Sequence, residues 1–171
     1  RDMLLAWLPE AEYDVWLSSD QGTSPPSDAA LREYAGVLWP GCNLTVYHFD
    51  DPRVKQHLEL VERSYAAGVP QFGTCWGIQC GAVVAGGEVG PHPLGREMGI
   101  GRKIYLTDAG KSHPMYQGKP PVFDGFVSHD DEVKKLPAGA TLLASNYYSQ
   151  VQSVSITYKK GTFWGLQYHR V

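Results

Sequence analysis

No apolar run in this chain is long enough to cross a bilayer. The longest clean stretch, Met3 to Leu8, stops far short of the roughly 20 residues a membrane helix needs. The start, Arg1-Asp2-Met3, lacks the basic n-region and small-residue cleavage site of a secretory signal. Neither membrane association nor export is expected. Positive charge is not in excess either: 15 Lys and Arg stand against 18 Asp and Glu, and no basic run exceeds Lys134-Lys135 or Lys159-Lys160. The electrostatic footprint of a nucleic-acid binder is therefore missing, and a small molecule or a protein is the expected partner. Cysteine is scarce. Cys42, Cys75 and Cys80 are odd in number and form no CxxC pair, which excludes a disulfide framework, favours a reducing compartment such as the cytoplasm, and leaves room for a reactive thiol. Repeats, low-complexity tracts and long linkers are also lacking.

What is present describes one globular domain, residues 1–171. At 43% hydrophobic and 19% charged, a chain of this length can bury about 68 to 70% of its unfolded surface and needs no staples. Met3 to Leu8 reads as the end of a helix and Tyr13 to Leu17 as a strand. A loop with Gly22, Pro25 and Pro26 follows, then a short helix capped by Asp28 and running through Tyr34, and a strand over Ala35 to Trp39. Asp50-Asp51-Pro52 opens a helix whose apolar Val54, Leu58, Val61 and Tyr65 keep helical spacing until Gly68 stops it. Val69 to Thr74 reads as a strand and Ile78 to Ala85 as a helix. Strand and helix alternating in this way predict a doubly wound, mostly parallel α/β sheet covered on both faces. The C-terminal half is β-rich, with strands expected at Ile100–Leu106, Val122–Ser128, Ala140–Ala144, Val151–Tyr158 and Thr162–Tyr168. The chain begins without the strand that usually leads such a sheet and ends directly after one, so a missing first strand and C-terminal end are expected.

Chemistry concentrates at Gly73-Thr74-Cys75-Trp76-Gly77, where a strand turns sharply into a helix. This is the pattern of a nucleophile elbow: glycines two residues either side of the nucleophile let strand and helix approach closely. A cysteine there sits at a helix N-terminus, which favours its thiolate. The N–H of Trp76 is placed to hold a developing oxyanion. A buried structural cysteine is the competing reading, but G-x-C-x-G arises by accident in only roughly one chain of this length in a hundred. A thiol nucleophile needs a proton shuttle, and His169 is the best placed histidine, at the end of a strand where open α/β sheets carry their sites. His48, His57, His92 and His113 read as surface or packing residues.

Two segments, Gly73-Thr74-Cys75-Trp76-Gly77-Ile78-Gln79 and Gly165-Leu166-Gln167-Tyr168-His169, resemble the paired catalytic motifs of class I glutamine amidotransferases, in the right order. Ser128-His129-Asp130-Asp131-Glu132-Val133 with Leu136-Pro137 resembles the S-H-x-D-x-V-x-x-L-P segment of the GMP synthetase amidotransferase domain and its stand-alone relatives. Gly95-Arg96-Glu97-Met98-Gly99 resembles the G-x-E-x-G segment of the same group. The resemblance implies a flavodoxin-like fold and hydrolysis of the glutamine side-chain amide. It makes Cys75 the nucleophile and His169 the proton shuttle, with an oxyanion hole from the N–H groups of Gly41 and Trp76. Gln79 and the backbone around Ser128 and His129 match positions that hold the glutamine head group. No cofactor or metal is implied. Ammonia would pass to a synthetase partner in trans, since 171 residues hold no synthetase domain.

One departure stands out. The family continues H-P-E, whose glutamate orients the histidine, whereas this chain reads His169-Arg170-Val171, and valine accepts no hydrogen bond from an imidazole. Three outcomes follow: an altered tail, a substitute carboxylate among Asp130, Asp131 and Glu132, or impaired catalysis in a γ-glutamyl-binding domain. A γ-glutamyl peptidase using the same residues is a further alternative, and a hydrolase of some other substrate a weaker one. Two decoys fail. Ala109-Gly110-Lys111-Ser112 lacks the leading glycine of a P-loop, and the Cys and His residues fit no common zinc spacing.

Overall fold

The computed structural model describes residues 9–18, 20 and 22–169; the expected helix end at Met3 to Leu8 lies outside them. In chain order the elements are α1 (Asp28–Leu31), β1 (Val37–Trp39), α2 (Pro52–Ala67), β2 (Gln71–Thr74), α3 (Trp76–Val84), β3 (Glu88–Pro91), β4 (Glu97–Leu106) and α4 (Asp108–Ser112). A 3-10 turn at Pro114–Tyr116 leads to β5 (Val122–His129), β6 (Asp131–Lys135), β7 (Ala140–Ser145), β8 (Ser153–Tyr158) and β9 (Gly161–Leu166).

Helix α2 forms as its sequence dictates. The Asp51 side chain accepts from the Arg53 N–H, Pro52 occupies the first turn, and Gly68 closes the helix with φ of 80°. Its Val54, Leu60, Val61 and Tyr65 are buried. In α1 the cap is Ser27, whose hydroxyl accepts from the Ala30 N–H, so Asp28 falls in the first turn and the helix ends at Leu31 rather than Tyr34. The expected strand at Tyr13 to Leu17 does not form. Val15 and Leu17 are exposed, while Trp16 packs edge-on against Tyr34 and Asp14 accepts from the Tyr34 hydroxyl.

Seven strands form one sheet in the order β1-β2-β9-β8-β7-β4-β5. The α/β class and the β-rich C-terminal half are as expected, but the sheet is mixed. Parallel pairing is confined to β1 with β2 and β2 with β9. The other pairs are antiparallel; between β8 and β9 a two-residue connection, Lys159-Lys160, can only return the chain antiparallel. A second sheet, β3 against β6, was not expected, because Glu88–Pro91 contains a proline and Asp131–Lys135 is largely charged, neither with a strand-like apolar alternation.

The two faces of the sheet bury different cores, with the period of two that strands impose. On β9, Phe163 and Gly165 face α3, where Gly81 and Ile78 meet them, while Trp164 packs on His113 and Leu166 on the cluster around Ile104, Leu143 and Tyr168. Among the described residues no helix is long and apolar enough to cross a membrane.

Candidate active site

Three parallel strands deliver the site. Gly41 follows β1, Cys75 follows β2 and His169 follows β9, so all three stand at the carboxyl edge of one parallel unit, where open α/β sheets leave a crevice. They meet there. A methyl group placed on Gly41 would lie 3.4 Å from the Cys75 Cβ, 3.8 Å from its sulfur and 3.6 Å from the His169 Cε1. Gly41 therefore lines the gap between thiol and imidazole, and among the described residues nothing accepts from its N–H.

The turn that presents Cys75 is strained. Its φ of 54° with ψ of -108° is a conformation L-residues rarely adopt, and it persists because the flanks leave no alternative. A Cβ on Gly73 would stand 2.7 Å from the Gly77 carbonyl carbon, and one on Gly77 would stand 2.3 Å from the Trp39 carbonyl oxygen. Only glycine allows β1, β2 and α3 to close this tightly. The Cys75 N–H donates to the Leu166 carbonyl at 2.8 Å, tying the elbow to the end of β9. On the other side, the His169 N–H donates to the Phe126 carbonyl at 2.6 Å, fixing the histidine against β5.

Burial decides the protonation of this pair. Cys75 is 8% exposed. Burial raises its thiol pKa, against the lowering effects of the Trp76 N–H and the Arg96 charge. His169 is held below the ordinary imidazole value, first by burial and then by the neighbouring His129. Both shifts favour the neutral forms, a thiol and an imidazole. The preformed thiolate expected from the helix N-terminus is outweighed by desolvation.

The remaining residues divide. Ser128 comes to the site: its carbonyl lies 3.6 Å from the Cys75 sulfur, and its hydroxyl accepts from Arg96 at 2.9 Å. His129 is the next and last residue of β5. Its ring is buried, with Nε2 at 2.9 Å from a Glu97 carboxylate oxygen and Nδ1 at 3.0 Å from the Asp131 carbonyl. Gln79 is 3% exposed, and its amide nitrogen donates to the Asp131 carbonyl and to Gln167. Cys80 is core, and Cys42 beside Gly41 is exposed.

Among the described residues no carboxylate bonds the His169 ring. Asp131 accepts from the Tyr47 hydroxyl, Glu132 pairs with Lys134, and Asp130 lies 3.9 Å from Arg96. The most buried carboxylate of the region is Glu97. It accepts from Asn146, Ser149 and Gln152 as well as facing His129, and although burial pushes its pKa up, those hydrogen bonds hold it below the ordinary value. The G-x-E-x-G segment marked Glu97 by type, but its four partners come from two later segments, β5 and the β7–β8 connection, that no spacing reveals.

The sequence matches the family described as Glutamine amidotransferase class-I over residues 21–169. The chain belongs to that family. Among curated class I relatives, a gamma-glutamyl-L-1-hydroxyisopropylamide hydrolase from Pseudomonas sp is 39% identical over 170 residues, which is 98% of this chain and 56% of that enzyme. A glutamine-hydrolyzing GMP synthase subunit from Methanocaldococcus jannaschii is 30% identical over 138 residues, 81% of this chain and 65% of that one. The chain thus spans little more than half to two thirds of these relatives. Among solved structures, a glutamine amidotransferase from Thermotoga maritima superposes with a TM-score of 0.81 at 24% identity, covering 98% of this chain and 67% of its own, and so shares the fold.

Proposed function

We propose that this domain hydrolyses the γ-carboxamide bond of a glutamyl substrate through a thioester on Cys75, releasing ammonia from glutamine. The observation that carries the reading is the meeting of Cys75 and His169 around Gly41. His169 takes the thiol proton as sulfur attacks the γ-carbonyl carbon. The oxyanion that forms is held by the N–H groups of Trp76 and Gly41. As the C–N bond breaks, His169 returns the proton to the leaving nitrogen, and ammonia departs. Water then attacks the thioester with His169 as base, giving glutamate and free Cys75. Gln79 and the Ser128–His129 backbone would orient the glutamyl head. A synthetase partner in trans would use the ammonia, and three unpaired cysteines suit the cytoplasm.

A second reading, a γ-glutamyl amide with an alkyl amine as leaving group, is supported by the Pseudomonas relative, which carries such a substrate in its name. Comparison of kcat/KM for glutamine and for γ-glutamyl-isopropylamide separates the two. Preference for glutamine supports amidotransfer, and preference for the alkylamide supports the hydrolase. Turnover of either that survives Cys75→Ala contradicts both.

A further inference from the structure

Arg96 and Asp130 form a loose pair of opposite charges over the site, and neither has another charged partner among the described residues. The Arg96 Nη1 is 3.9 Å from an Asp130 carboxylate oxygen, and the two side chains are 51% and 69% exposed. Strand pairing puts them together. Glu97 on β4 is in register with His129 on β5, so the next step outward brings residue 96 opposite residue 130. Because side chains alternate along a strand, the inward step is the buried Glu97–His129 contact, and Arg96, Met98, Ser128 and Asp130 share the other face. Both charged residues occupy positions that the G-x-E-x-G and S-H-x-D motifs leave open.

Ser128 sets the distance to the reacting atom. Its carbonyl touches the Cys75 sulfur at 3.6 Å while its hydroxyl accepts from the Arg96 Nη2 at 2.9 Å, so a single residue separates the guanidinium from the nucleophile. In a glutamyl substrate two methylenes separate the γ-carbon from the α-carbon. The α-carbon carries a carboxylate and, in a free or N-terminal γ-glutamyl group, an ammonium. An exposed ion pair at such a separation contributes little to stability, so opening it to admit a ligand costs little.

We infer that Arg96 and Asp130 are the specificity pair for the zwitterionic head of the substrate, Arg96 receiving the α-carboxylate and Asp130 the α-ammonium. This rests on the γ-glutamyl reading given above. It restricts substrates to γ-glutamyl groups whose α-amino and α-carboxyl groups are both free, and excludes γ-amides within a peptide chain. The guanidinium has donors left for a carboxylate after bonding Ser128, in the planar fork that suits bidentate contact. Its charge also favours the Cys75 thiolate, which affects every substrate alike.

Ratios between substrates remove that common effect. The test measures kcat/KM of the wild type, Arg96→Ala and Asp130→Ala on glutamine, on 4-aminobutanamide, which lacks the carboxylate, and on glutaramate, which lacks the ammonium. Wild type is expected to favour glutamine over each truncated substrate by about 10- to 100-fold, as for loss of one hydrogen bond to a charged group. Arg96→Ala should abolish the preference over 4-aminobutanamide and keep that over glutaramate, and Asp130→Ala should do the reverse. Unchanged preferences in variants that still turn over glutamine would overturn this assignment and leave the γ-glutamyl reading standing. A wild type that turns over none of the three, nor γ-glutamyl-isopropylamide, would overturn both.

Discussion

A methyl group on Gly41 is the smallest change that reaches both reacting groups at once. It would stand between the Cys75 sulfur and the His169 ring, at 3.8 and 3.6 Å, without any backbone strain since Gly41 is not in the left-handed region. Gly41→Ala is expected to lower kcat by about 100-fold, as small misplacements of reacting groups do, with the thermal midpoint unchanged. Equal activity in that variant would mean the two groups do not act across this gap. The pH profile tests the same pair. Since His169 titrates below its ordinary value of 6.5, the acid limb of kcat/KM should lie beneath that pH. Since Cys75 is raised, its alkylation by iodoacetamide should call for a more alkaline midpoint than that of a free thiol. An alkylation midpoint in the acid range would show a preformed ion pair instead.

At the scale of elements, the elbow depends on β1, β2 and α3 closing without side chains between them. Gly77→Ala would drive a methyl into the Trp39 carbonyl oxygen, a backbone atom that cannot swing aside. Overpacking of this kind costs typically about 1 to 3 kcal/mol, and urea titration should show it together with loss of turnover. The β4 to β5 region depends in the same way on Glu97. Glu97→Ala leaves His129, Asn146 and Gln152 without their acceptor, and each buried donor left unsatisfied costs about 1 to 3 kcal/mol. Both elements differ in how far the sequence revealed them. The shape of the elbow was legible because it lies within five adjacent residues, and the place of His169 at the same sheet edge because it closely follows a strand. The β3 and β6 pairing and the Glu97 network were not, since their partners meet only through tertiary contacts. Tyr13 to Leu17 misled for the converse reason: it has the residues of a strand but takes no strand conformation.

The whole molecule should lose stability as acid is added, and the groups responsible can be named. His57 is buried on α2 between the rings of Trp39 and Trp76, and burial lowers its pKa from 6.5 to about 4. The unfolded chain therefore takes up this proton first. The contribution is complete above pH 6.5 and is lost progressively as pH falls toward about 4, by about 3 kcal/mol in all. Glu97, whose folded pKa is depressed, adds a further loss at lower pH as it protonates. His57→Gln should flatten the first of these slopes in denaturant titrations between pH 7 and 4, and an unaltered slope would contradict the assignment. Through His57, α2 also supports Trp76, the residue after Cys75.

The central claim is that Cys75 is the nucleophile of a γ-glutamyl site. The direct measurement is treatment with 6-diazo-5-oxo-norleucine, a glutamine-shaped electrophile, followed by peptide mass spectrometry. A single adduct on Cys75, prevented by excess glutamine and absent from Cys42 and Cys80, is the predicted result. An unmodified Cys75 that iodoacetamide still alkylates, or an adduct on Cys42 instead, would contradict it.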